Sequence, residues 1–197
     1  MKIAIDLDDV ISSTLARVIP FYNERTNSNT KREDYTDYDW TKIWGCSKEE
    51  MLKIWNEFAK SKNYEEILPI KDAIPSVLSL MEKNEITIMT ARSRDIKNET
   101  LNWLKKYFQE KEIDLIFTGE FGKVDGIKKS KAEICNKLRI PLIIEDNGEY
   151  SLQCAEEGIK VILFDALHNR SASHENITRV SGWEEAMPLI NKMQENQ

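Results

Sequence analysis

Three carboxylates crowd the end of an early apolar run, in the stretch Asp6-Leu7-Asp8-Asp9 that follows Lys-Ile-Ala-Ile. Residues two apart on a strand project to the same side, so Asp6 and Asp8 start out facing one site. Carboxylates packed this closely repel one another. A hard, oxygen-ligated cation such as Mg²⁺ relieves that repulsion. Three more stretches carry side chains with chemistry. Thr90 ends the run ITIMT and is followed by Ala91-Arg92, where a hydroxyl and backbone amides at a strand-to-helix turn can hold phosphate oxygens. Lys131 follows Ser130 in a capping box that ends on Glu133, which makes it the first residue of a helix. A cation there opposes the helix dipole and points to an anion nearby. Glu145-Asp146 closes the run LIIE, one acid suited to ligating a metal and the other to supporting it. Each stretch alone has a plainer explanation: an acidic turn, a helix cap, or an exposed lysine in a basic cluster with Lys128 and Lys129. Their order along the chain carries the argument.

That order needs elements that bring the four stretches to one edge. The apolar runs Lys2–Leu7, Ile86–Thr90, Ile113–Thr118, Leu142–Glu145 and Val161–Phe164 predict strands buried on both faces, as in a parallel sheet. Helices are predicted between them. Asp72 to Lys83 opens on an Asp N-cap with Pro75 in the first turn. Asp95 to Phe108 spaces Ile96, Leu101, Leu104 and Phe108 helically, and Ser47–Glu50, Ser130–Glu133 and Ser181–Glu184 read as capping boxes. From residue 72 helix and strand alternate, which predicts an α/β fold: an open parallel sheet with helices on both faces. Ligands of such sheets bind outside the carboxyl ends of the strands, where all four stretches lie. The segment 12–70 contains no convincing strand and is rich in aromatics. It is read as a helical cap inserted after the first strand, with 1–11 and 71–197 forming the core domain.

Composition narrows the function. Charged residues make up 31% and hydrophobic residues 41% of 197 residues, an ordinary globular balance. A net charge of −6 and pI near 5.2 argue against a nucleic-acid polymer as partner. The cysteines Cys46, Cys135 and Cys154 show no metal or redox spacing, and His168 and His174 have no partners at ligand spacing. No apolar run approaches a membrane span, and no signal peptide opens the chain, so a cytoplasmic protein is expected.

The four stretches resemble the motifs of the haloacid dehalogenase superfamily, matched here by Asp6-Leu7-Asp8-Asp9-Val10, Thr90, Lys131 and Glu145-Asp146. The resemblance spans the whole chain and implies a Rossmann-like five-stranded sheet, order 5-4-1-2-3, with a cap of the superfamily's first type. The stretches DLDDV, IMTAR, SKAEIC, IEDN and EEGIKVILFD are closer still to the 5′(3′)-deoxyribonucleotidase branch and its nucleotidase relatives. So is the tail with Asn169-Arg170 and Gly182-Trp183. One departure is Ala91-Arg92, where that branch carries a serine after the threonine; it bears on substrate rather than reaction. The resemblance implies a phosphatase with Mg²⁺ as cofactor, held by Asp6, the Asp8 carbonyl and Asp146. Asp6 is then the nucleophile that forms an aspartyl phosphate, and Asp8 the acid/base, which calls for a raised pKa. Thr90, the Ala91 amide and Lys131 bind the phosphoryl group, and Glu145 orients Lys131 or a metal-bound water. Arg92 and the cap residues Phe21, Tyr22, Trp40 and Trp44 are candidates for substrate contact, with stacking on a nucleobase in view. The implied substrate is a nucleoside monophosphate. A sugar phosphatase or phosphomutase would keep both aspartates, and a non-catalytic phosphate-binding module would usually have lost one.

Overall fold

A computed structural model describes residues 1–109, 111–118 and 130–195. Its centre is a six-stranded, wholly parallel sheet in the order β3-β2-β1-β4-β5-β6. In chain order β1 is Lys2–Asp6, followed by α1 Leu15–Thr26, α2 Trp40–Trp44, α3 Lys48–Ala59, α4 Lys62–Glu65 and α5 Ala73–Met81. Then come β2 Glu85–Thr90, α6 Lys97–Phe108, β3 Asp114–Phe117, α7 Lys131–Leu138 and β4 Leu142–Glu145. The chain ends with α8 Gly148–Glu156, β5 Lys160–Phe164, β6 Ile177–Val180 and α9 Trp183–Glu195.

The apolar runs become strands because both of their faces are covered. Ile3, Ile5, Ile88, Leu142, Ile144 and Ile162 join one apolar cluster, while their strand neighbours Ala4, Met89, Ile143, Val161 and Leu163 join another. Such alternation onto two cores requires helices on both sides. The cluster around Ile3 and Ile5 extends without a break into Tyr22, Trp44, Trp55 and Phe58, so the aromatics of 12–70 are continuous with one face of the sheet. That segment is helical, as its lack of strand pattern predicts.

Several expectations need correction. The sheet has six strands rather than five. The extra strand, Ile177–Val180 (ITRV), lies at the edge and is only half-buried, so its polar Thr178 and Arg179 break the apolar run that marks the other strands. Asp72 does precede α5, but in a left-handed conformation (φ 63°) that gives the helix no side-chain cap. The Ser130–Glu133 box is formed in full. Ser47 caps the Glu50 amide, whereas the Ser181 amide donates to Glu185 rather than Glu184. Lys128 and Lys129 lie outside the described residues. No described helix is long and apolar enough to cross a membrane.

Candidate active site

β1, β2 and β4 are neighbours in the sheet and end at one edge, so Asp6, Thr90 and Glu145 arrive there together. After β1 the chain turns sharply: the Asp9 amide donates to the Ser12 carbonyl at 2.7 Å, and the Ile11 and Ser12 amides donate to the Leu7 carbonyl. Asp9 sits in the left-handed region (φ 54°), which a short polar side chain tolerates better than most. Leu7 is buried in the core, while Asp6, Asp8 and Asp9 line a cavity. Ala91, Arg92, Glu145 and Asp146 line it from the core side, and Tyr35, Tyr38, Trp40 and Trp55 from the 12–70 segment.

Lys131 is not an exposed lysine. It is 1% exposed, and its ammonium donates to Asp6 and, at 2.6 Å, to Glu145 Oε2. The anions expected near this helix start are therefore two carboxylates of the site. Glu145 spends its other oxygen on the Asp146 and Asn147 amides, both at 3.1 Å. Burial pushes the Asp6 carboxyl well above its ordinary range; Lys131 pulls it down, and Glu145, Asp146 and Asp8 add to the push. One carboxylate oxygen from each of Asp6, Glu145 and Asp146 lies within 4.8 Å of the other two. Three buried acids against one lysine leave surplus negative charge. A hard divalent cation fits this donor set, with Asp6 and Asp146 the carboxylates least committed elsewhere.

Asp8 stands in a different field. The guanidinium of Arg92, 2% exposed, grips it through Nε at 3.1 and 2.9 Å and Nη2 at 2.6 Å. Thr14 adds a hydrogen bond at 2.6 Å, and the Thr90 hydroxyl lies 3.4 Å from the second oxygen. Burial alone would raise the Asp8 pKa, but the charge and hydrogen bonds of Arg92, joined by Thr14 and Lys131, hold it below the ordinary carboxylate value. This is the reverse of the raised pKa expected of an acid/base. Arg92 also donates to the Tyr64 hydroxyl at 2.5 Å, so it ties the loop after β2 to the 12–70 segment.

Of the four aromatic candidates, Trp40 lines the cavity and three do not. Tyr22 and Trp44 stack on each other at 4.2 Å, and Phe21 packs edge-on against Phe58. Tyr35, Tyr38, Trp55 and His168 line the cavity as well, without any signal in the sequence that marks them. His168 has a partner after all: its Nε2 lies 3.1 Å from the Asp146 carbonyl and 3.4 Å from its carboxylate. Burial opposes its protonation, but the bonds and charge of Asp146 outweigh that and raise its pKa. The two residues come from segments far apart in the chain, so spacing could not reveal the pair.

Residues 1–195 match the family model described as 5′ nucleotidase, deoxy (Pyrimidine), cytosolic type C. The chain belongs to this nucleotidase family. It is 29% identical over 196 residues to the nucleotidase CA_C3379 of Clostridium acetobutylicum, covering 98% of this chain and 95% of that one. Among solved structures it resembles the haloacid dehalogenase-like hydrolase SP0104 of Streptococcus pneumoniae, with TM-score 0.69, 14% identity, and coverage of 95% and 97% of the two chains. It also resembles the HAD-hydrolase YfnB of Bacillus subtilis, solved bound to magnesium, with TM-score 0.63, 15% identity and coverage of 96% and 98%. At those identities the likeness establishes the fold. The family establishes the class: this nucleotidase is a phosphatase of the haloacid dehalogenase superfamily, acting on small phosphorylated molecules.

Proposed function

We propose that the chain is a Mg²⁺-dependent nucleoside monophosphate phosphohydrolase working through an aspartyl phosphate on Asp6. The observation that carries this reading is the pairing of two aspartates in opposite environments at one cavity: Asp6 beside Lys131, Asp8 beside Arg92.

Asp6 attacks phosphorus, and the bond to the leaving oxygen breaks. Lys131, Thr90 and the Ala91 amide bind the phosphoryl oxygens and spread the developing charge. Asp6, Asp146 and the Asp8 carbonyl would hold Mg²⁺, which supplies charge neutralisation at the transferring group. Glu145, spent on Lys131 and two amides, positions rather than ligates. Ionised Asp8 is set for the second half-reaction, taking a proton from the water that cleaves the aspartyl phosphate. In the first half-reaction it must donate a proton to the leaving group. That requires Arg92 to loosen its grip so that Asp8 takes up a proton from solvent before the ester bond breaks, and an arriving phosphate dianion competes for the same guanidinium. The 12–70 segment acts as a cap that excludes water, and Tyr35, Tyr38, Trp40 and Trp55 give it an aromatic wall suited to a nucleobase.

The test is phosphate release from nucleoside monophosphates, sugar phosphates and an aryl phosphate, with Mg²⁺ or EDTA, by wild type and Asp6→Asn. The reading expects metal-dependent release biased to nucleotides and a loss in Asp6→Asn of at least about a thousandfold. Release confined to sugar phosphates would remove the nucleotide assignment and leave the chemistry.

A further inference from the structure

The cavity has an annex. It shares Asp9, Leu15, Tyr35, Asp146 and His168 with the main chamber, and it is also lined by Arg32 and Arg170, which come from distant parts of the chain. The acids of this annex are committed. Asp165 is held by Arg179 at 2.9 Å, Asp9 accepts the Leu15 amide at 3.2 and 3.3 Å, and Asp146 faces His168 and the proposed cation. The two arginines are not. Both are exposed, and neither guanidinium has a hydrogen-bond or ion-pair partner among the described residues. Arg32 acts on Asp9 through space alone. What remains after pairing is a cationic mouth on a cleft whose inner end is the reaction site. Guanidinium forks match the oxygens of phosphate and carboxylate groups.

We propose that Arg32 and Arg170 bind a second anionic group, phosphate or carboxylate, carried on the leaving portion of the substrate. The preferred substrates are then phosphomonoesters with two anions, nucleoside bisphosphates among them. This rests on the reading of the acid cluster as the phosphoryl-transfer site. The arginines are solvent-exposed, so the preference is greatest at low ionic strength.

Two matched pairs test it: a nucleoside 5′-monophosphate against its 3′,5′-bisphosphate, and glycerol 3-phosphate against 3-phosphoglycerate. Each is measured as kcat/KM with wild type and with the double variant R32Q/R170Q. In wild type the second anion raises kcat/KM about tenfold in at least one pair, the worth of a charge-assisted hydrogen bond, and in the double variant the ratio falls to within about twofold of unity. The pair that responds distinguishes phosphate from carboxylate. A ratio near unity in wild type, or one that survives the double variant, overturns the proposal. Calorimetric binding of the same four compounds to Asp6→Asn makes the comparison without turnover. Hydrolysis without the preference removes the annex alone; arginine-dependent binding without hydrolysis removes the hydrolase reading alone.

Discussion

Asp6 and Asp8 are two residues apart on one strand end, yet their surroundings drive their proton affinities in opposite directions. Asp6 is pushed up by burial among carboxylates, against the pull of Lys131, and Asp8 is held down by Arg92 despite burial. Removing Arg92 should therefore move Asp8 toward a higher pKa. In Arg92→Met the acid limb of the rate of aspartyl-phosphate hydrolysis, the step in which Asp8 acts as base, shifts to higher pH, and the protein loses about 3 kcal/mol of stability, because a nearly inaccessible partner of a carboxylate is gone. A profile that does not move would show that Asp8 is not the titrating group. At this scale the grouping of the proposed catalytic residues was readable. Asp6, Asp8, Thr90, Lys131 and Glu145-Asp146 carry distinctive chemistry in a distinctive order, and they meet at one sheet edge. The Arg92 clamp was not readable, because nothing in Ala91-Arg92 tells whether the guanidinium turns to substrate or to an aspartate on the next strand.

The elements explain why Asp146 stays in place. Asn169, 1% exposed, donates to the Asp146 carbonyl at 2.5 Å and to the Phe164 carbonyl at 2.7 Å. Arg179 on β6 donates to the Asn169 side chain and carbonyl and to the Ala172 carbonyl. Trp183 at the start of α9 donates to the Val10 carbonyl at 2.9 Å, steadying the loop after β1. The strand missed in the sequence thus supports the acid pair that was found. It was missed because an edge strand buries one face only, and its outward residues are free to be polar. Asn169→Ala and Arg179→Met should each weaken Mg²⁺ binding about tenfold, as loss of support behind a metal ligand does. Mg²⁺-induced shifts in melting temperature read this directly. Unchanged metal affinity with a lower melting temperature in EDTA would reduce the pair to a structural role.

Across the whole molecule, the alternation of helices with apolar strands gave the α/β class, and the lack of a strand pattern gave a helical 12–70, but neither gave the division of labour among its aromatics. Phe21, Tyr22 and Trp44 pack with the sheet's own core and do not line the cavity, Tyr35 and Tyr38 line the cavity, and Trp40 and Trp55 do both. The same residue types do both, so composition could not separate them. The site also sets the protein's response to pH. Asp6, Glu145 and His168 are all shifted upward, and Asp9 is pushed up to about 8 by burial, then by Asp146 and Asp8. Groups raised in this way hold more protons folded than unfolded, so in EDTA stability falls as pH rises from the ordinary carboxylate range toward about 8. Mg²⁺ should offset that fall, and Asp9→Asn should flatten part of it. Melting curves from pH 5 to 8 with and without the ion check both, and a metal-free protein that gains stability over that interval would contradict the charge account.

The central claim is that Asp6 becomes phosphorylated. The direct measurement is acid quench during turnover with Mg²⁺ and a nucleoside monophosphate, followed by peptide mass mapping. The account predicts one added phosphoryl group on the N-terminal peptide, localised to Asp6 and absent in Asp6→Asn. Steady turnover with no phosphoryl group on that peptide, and with activity kept in Asp6→Asn, would contradict it.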